Sequence, residues 1–215
     1  MLIFPLINCS LSFLSYFWQP MPRYLYFYLL FLFAASCRPP VYTPKPPGYY
    51  LIDTPASHLY RLFYREGFPY SFEYPVYSDI ENDTVFQGNK ENNPYWINIY
   101  IPKLGGVINI TYREISDQYP FSKLVEDAYS LSFFHHEKAD YIDEHPFTVN
   151  GISCTIYTVG GNAATRYQFT ATDSVKHFMR GALYFDTTPN ADSLKPATDF
   201  LVQDIVHLLT TLRFK

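Results

Sequence analysis

Charge is scarce in this chain, and at its start it is nearly absent: Arg23 is the one charged side chain among residues 1–36. Over all 215 residues the charged fraction is 17%, against about 25% in ordinary soluble domains. The formal net charge is -4 and there is no basic run, which excludes nucleic acid as a partner because such a surface repels phosphate. Three cysteines are too few for a disulfide scaffold. The sequence also lacks a GxSxG elbow, a phosphate-binding glycine loop, a CxxC pair and an HExxH helix. These absences remove the commonest hydrolase, nucleotide, redox and zinc-protease chemistries, and no small-molecule substrate is identified. Aromatics, by contrast, make up 20% of the chain, with 21 Tyr and 19 Phe. That much apolar surface excludes disorder, and the length suits one domain with appendages.

The uncharged start has the layout of a secretory signal peptide. Met21-Pro22-Arg23 supplies a short positive end, and Tyr24 to Ala35 an apolar centre of 12 residues. A membrane span needs about 20. Residues 1–20 read as an upstream extension, with Met21 as the start. The alternative, a span joining both apolar blocks, would carry Pro20 and Pro22 in its middle, where they break a helix.

Ala34-Ala35-Ser36-Cys37 has the pattern of a bacterial lipobox, with Ala34 where Leu is commonest. Small residues fit a narrow peptidase cleft, and the Cys37 thiol accepts the lipid. Cleavage leaves Cys37 as the first residue, carrying a diacylglycerol and an acyl chain. Each buried CH₂ contributes about 0.8 kcal/mol, so several chains hold the protein to a membrane. Cys9 leaves with the leader and Cys37 is acylated, so Cys154 alone stays free. In the strand-like run ISCTIYTV it reads as a buried, inert thiol.

The expected organisation is a signal peptide over 1–36, a lipidated cysteine and proline-rich tether over 37–48, and one α+β domain over 49–215. RPPVYTPKPPG holds five prolines in eleven residues and is extended and semi-rigid: a spacer, or alternatively a ligand for an aromatic groove.

Within the domain, YWINIYIP alternates, with Ile97, Ile99 and Ile101 on one face. GVINITY follows after Gly105 and Gly106, predicting a hairpin. Asn150-Gly151 is the signal of a type I′ turn. Turns at Gly160-Gly161-Asn162 and Thr172-Asp173-Ser174 complete a four-strand meander reaching residue 186. The stretch LYRLFY reads as a strand, and residues 78–94 as an exposed polar loop. One helix is predicted over 120–136, on the spacing of Phe121, Leu124, Ala128, Leu131 and Phe134 or His135. A second is predicted over 193–212, capped by Asp192, with Leu201, Ile205, Leu208 and Leu212 inward and Asp199, Gln203 and Asp204 outward. Helices packed on one face of an antiparallel β-sheet give an α+β sandwich.

Two places carry titratable side chains. Residues 135–145 hold His135, His136 and His145 with four carboxylates, the side chains zinc accepts. Adjacent helical histidines point about 100° apart, however, and a histidine at a helix C-terminus is favoured by the dipole alone. They are weak metal candidates, and the expected cofactor set is none beyond the lipid. His177 on a strand shares a face with Met179, opposite Phe178 and Arg180, and reads as packed under a helix or bonded across the sheet rather than as an acid–base catalyst. No catalytic residue is assigned.

Several segments together resemble the gliding motility lipoprotein GldD family of Bacteroidetes-type bacteria: CRPPVYTPKPPGYYLID (37–53), FPYSFEYP (68–75), PYWINIYIPKLGGVINITY (94–112), KAD (138–140), GGNAATRYQF (160–169), KHFMRGALYF (176–185) and PNADSLKPATDFLVQDIVHLLTTLRFK (189–215). The resemblance implies a non-enzymatic lipoprotein of the cell envelope, needed for gliding and associated with the type IX secretion machinery. Its partners would be the membrane, through the lipid anchor, and other envelope proteins of that machinery. The residues after Cys37 lack the acidic cluster of a surface-export signal, so the anchor is expected to face the periplasm. The strand FPYSFEYP and the closing helix are also similar to PsbP/Mog1-like sandwiches, a likeness of fold that carries little about function. Two other readings stand beside this one: a lipid-tethered module that binds glycan or cell wall on exposed tyrosines, and a metal-dependent envelope enzyme using residues 135–145.

Overall fold

In a computed structural model the chain divides into two compact units, Met1–Gly48 and Tyr49–Lys215. The structure describes residues 22–24, 27, 28, 30, 52–82, 93–134 and 139–215. In the first unit Arg23, Tyr24, Phe27, Tyr28 and Leu30 are helical and exposed. Among the described residues no helix is long and apolar enough to cross a membrane. Cys37, the lipobox and the proline-rich tether lie outside them.

The second unit holds two antiparallel sheets. The strands are β1 (Tyr60–Phe63), β2 (Tyr70–Pro75), β3 (Asp79–Asn82), β4 (Ile97–Ile101), β5 (Gly106–Glu114), β6 (Ala139–Val149), β7 (Ile152–Gly161), β8 (Tyr167–Thr172), β9 (His177–Phe185) and β10 (Arg213–Phe214). A three-stranded sheet has the order β1-β2-β10, and a seven-stranded one the order β3-β4-β5-β9-β8-β7-β6. The helices are α1 (Phe121–Phe133) and α2 (Ala191–Thr211). The α+β class and the antiparallel sheet are as expected from the alternation of apolar residues.

Local chemistry accounts for most of the boundaries. Asn150 and Gly151 take φ of 53° and 78°, the positive values a type I′ turn needs, and join β6 to β7. The β4–β5 connection is a single 3-10 turn, Pro102–Leu104, closed by Gly105 at φ 60°. Asp173 accepts from the backbone N–H groups of Val175, Lys176 and His177 at 3.0, 2.9 and 2.8 Å, which folds the β8–β9 turn. The N-cap of α2 is Asn190, whose side chain accepts from Ser193 N–H at 3.0 Å; Asp192, predicted for that role, lies one residue inside the helix. Asn162 reaches across to accept from Ala191 N–H at 2.8 Å. Part of the stretch predicted as a polar loop is instead β3, an edge strand pairing Ile80 with Ile99.

The two helices occupy opposite faces of the large sheet, not one face together. Consecutive strand residues point to opposite sides, and in β9 both sides are covered. Met179 and Leu183 join Leu201, Ile205, Leu208 and Leu209 of α2 in the main core, while Phe178 packs with Leu124 and Ala128 of α1. The near-continuous burial of β9 is the mark of a strand covered twice. The main core also takes in Phe63, Tyr70 and Phe72 from the small sheet and Phe68 from the β1–β2 connection. Each such side chain contributes about 1.5–3 kcal/mol by leaving water. Every residue of both clusters lies in the 49–215 unit, which therefore carries a core of its own.

The α1 stripe is narrower than its spacing suggested. Leu124, Ala128 and Ser132 are buried, whereas Phe121 and Phe134 are exposed. A helix held along so thin a seam leaves space beneath it.

Candidate functional site

The position predicted outward on α2, Asp204, is buried, and its carboxylate gathers side chains from three separate stretches of the chain. Its Oδ1 lies 2.7 Å from His58 Nδ1 and accepts from the Tyr60 hydroxyl at 3.0 Å; its Oδ2 accepts from the Tyr77 hydroxyl. The donors come from the segment before β1, from β1 and from the turn after β2, so one helical side chain ties three stretches to α2. Aromatic stacking reinforces the tie. The Tyr60 ring lies on His207 with centroids 3.5 Å apart, and the His58 ring on Phe200 at 4.1 Å. Glu73 of β2 holds His207 Nε2 at 2.7 Å. Residues 200, 204 and 207 recur at helical spacing, so they form one stripe facing β1 and β2. Burial and the neighbouring carboxylate push the Tyr60 and Tyr77 hydroxyls well above their ordinary range, keeping both as donors. The signal for this site was present: Asp204 stands three residues after Leu201 and four before Leu208, on the apolar stripe itself.

His177 is bonded across the sheet, as the strand alternation suggested. Its Nδ1 lies 2.6 Å from the Tyr112 hydroxyl, and its ring stacks on Phe214 at 4.8 Å. Burial lowers its pKa below the usual histidine value, outweighing the carboxylate of Asp173 nearby. Cys154 is fully buried, and burial raises its thiol to about 11, so it is protonated and unreactive in the folded chain. His145 is exposed on β6, opposite Ile156 of β7. His135 and His136 lie outside the described residues, and among the described residues no three His, Cys, Asp or Glu side chains are grouped to hold a metal ion. Tyr70, Tyr112, Tyr157 and Tyr167 are buried and take no part in a surface platform.

A cavity of about 360 Å³ lies under α1, floored by Trp96, Arg113, Phe178 and Arg180 and roofed by Leu124 and Leu131. The Arg180 guanidinium donates to Gln168 Oε1. The Nε of Arg180 and the Nε2 of the fully buried Gln168 have no hydrogen-bond partner. Arg113 lies over the Trp96 ring at 5.0 Å and the Tyr119 ring at 4.6 Å. Sequence alternation placed Arg180 beside Phe178 but could not show that α1 would enclose both.

The sequence profile described as gliding motility lipoprotein GldD matches residues 40–214. The chain belongs to the GldD family. The matched span takes in both sheets, both helices, the Asp204 cluster and the cavity under α1. Cys37, the lipidation candidate, falls just before it. No curated protein sequence matches the chain. Among solved structures the chain is similar to cyanobacterial PsbP (CyanoP) from Synechocystis sp. PCC 6803, with 10% identity over 80% of this chain and 98% of that one, and a TM-score of 0.43. GldD membership makes this a lipoprotein associated with gliding motility.

Proposed function

We propose that the protein is a lipid-anchored, non-enzymatic accessory of the gliding motility and type IX secretion machinery in the cell envelope. In this reading Cys37 carries the lipid, the proline-rich segment after it spaces the 49–215 unit from the membrane, and that unit faces the periplasm and engages other proteins of the machinery. The observation that carries it is the family match, which covers almost the whole folded unit. The chemistry of the site supports it. Both oxygens of the Asp204 carboxylate are taken up by donors from the protein's own segments, an arrangement that fastens elements together rather than attacking a substrate. His177 is enclosed between Tyr112 and Phe214.

The test is the secreted-protein profile and colony spreading of a strain lacking the gene, complemented with the native chain or with Cys37→Ala. Loss of both phenotypes, restored by the native chain and not by Cys37→Ala, is the expected result. Unchanged secretion in the deletion strain would refute the role in the secretion machinery. Removal of the folded unit by protease added to whole cells would refute the periplasmic orientation.

A further inference from the structure

We propose that the cavity between α1 and the seven-stranded sheet is a binding site for a monocarboxylate with an aromatic or aliphatic body, held by Arg180 against Trp96 and Phe178. This inference is independent of the anchoring and secretion roles proposed above.

Four observations carry it. The first is size. About 360 Å³ falls in the range of small-ligand sites, about 300–1,000 Å³, and equals the liquid volume of about 12 waters. That is room for one amino-acid-sized group. The second is the wall chemistry. Trp96 and Phe178 are almost fully buried and, with Leu124 and Leu131, give an apolar lining that favours a hydrocarbon body.

The third is the state of Arg180. A guanidinium presents five donors; here Gln168 Oε1 and the Tyr184 hydroxyl are acceptors, while Nε is buried with none. Among the described residues no carboxylate lies within ion-pair distance of it. A buried donor without an acceptor is costly, and a planar carboxylate is the shape a guanidinium fork accepts in two parallel bonds. Gln168 Nε2, also buried without a partner, sits on the side chain that Arg180 already holds. Burial disfavours the charged form of Arg180, a penalty that an incoming anion relieves.

The fourth observation selects the charge. The carboxylate of Asp127 on α1 also lines the cavity, across from the Arg180 guanidinium. A monocarboxylate brings one negative charge beside Asp127, whereas a phosphate dianion brings two and is repelled more strongly. The ligand carboxylate could belong to a free acid or to the C-terminus of a polypeptide; the chemistry is the same, and the cavity's open side admits either.

Trp96 is the only tryptophan of the 49–215 unit, so its fluorescence reads the cavity directly. The 49–215 unit is titrated with 3-phenylpropanoate, with the uncharged 3-phenylpropanamide, and with a short peptide ending in Phe as its free acid and as its amide. The expected result is a saturable change with one or both acids and binding at least about tenfold weaker with the amides. A peptide acid that binds more tightly than the free acid identifies a chain terminus as the source; the reverse order identifies a small free acid. Arg180→Met weakens acid binding by at least about tenfold. Leu131→Trp, which fills the cavity from α1 and leaves every charge in place, abolishes it, with cooperative unfolding confirming that the variant is folded. Equal binding of acids and amides, no saturable response to either acid, or acid binding that survives both substitutions would overturn the proposal.

Discussion

The imidazole Nδ1 of His58 and the carboxylate Oδ1 of Asp204 stand 2.7 Å apart across 146 residues of sequence. With the hydroxyls of Tyr60 and Tyr77 on the same carboxylate, they close the β1–β2 segment onto α2. A carboxylate that receives three donors at a buried position is favourable only while all partners are present; removing the acceptor strands the donors.

Asp204→Ala in the 49–215 unit is therefore expected to lower unfolding free energy by about 3 kcal/mol, measured by urea denaturation. Tyr77→Phe costs less, about 1–2 kcal/mol. The double variant should lose less than the sum of the two, with a coupling of about 0.5–3 kcal/mol. Strict additivity would show that the two groups do not interact.

Gly181 and Gly160 both face aromatic rings closely enough that a Cβ has no room. A Cβ at Gly181 would lie 2.1 Å from the Phe169 ring, and one at Gly160 would lie 2.2 Å from the Tyr141 ring. Phe169 is locked in the core and is the cross-strand partner of Gly181; Tyr141 is 46% exposed and can swing outward. Gly181→Ala should cost about 1–3 kcal/mol by overpacking, and Gly160→Ala clearly less. Thermal denaturation of the two variants side by side checks the order.

His177 makes stability depend on pH in a defined window. Its folded pKa is lowered, by burial first, whereas the unfolded chain titrates near 6.5. Below about 6.5 the unfolded state takes up a proton that the folded state refuses, so the contribution of His177 is complete above that pH. It is lost as pH falls toward the folded value, at up to about 1.4 kcal/mol per pH unit. Asp173 is affected by burial, which would raise it, but three backbone N–H donors prevail and hold it below the usual aspartate value. Its contribution is present above about 3.8 and is lost only as pH falls below that. The slope of stability against pH between 6.5 and 5 should flatten in His177→Asn, whatever the absolute stability of that variant.

Cys154 is the one cysteine of the 49–215 unit. With its thiol at about 11 and no exposed surface, alkylation by iodoacetamide at pH 8 should follow unfolding and not the intrinsic thiol rate. The measured rate in native buffer should fall by several orders of magnitude relative to the urea-unfolded chain. Rapid labelling of the folded unit would contradict the burial.

What the amino-acid sequence determined by itself was most of what has a short range, though not the α2 cap, which is Asn190 rather than Asp192. Alternation at Ile97, Ile99 and Ile101 implies the β4 face, Asn150-Gly151 implies its turn, and the spacing of Leu201, Ile205 and Leu208 implies α2, because each depends on φ/ψ preference or period within a few residues. The assembly of segments that resembles the GldD family was legible for the same reason: it is a linear order. The tertiary structure decided what depends on pairing across long loops. It put α1 and α2 on opposite faces of the sheet, since period alone marks an apolar stripe and not the surface that covers it. It turned Asp204 inward, since a carboxylate is tolerated in a core only when distant donors such as His58, Tyr60 and Tyr77 arrive to satisfy it. And it roofed Arg180 and Trp96 with α1, since a cavity exists only between elements that the fold brings together from distant parts of the sequence.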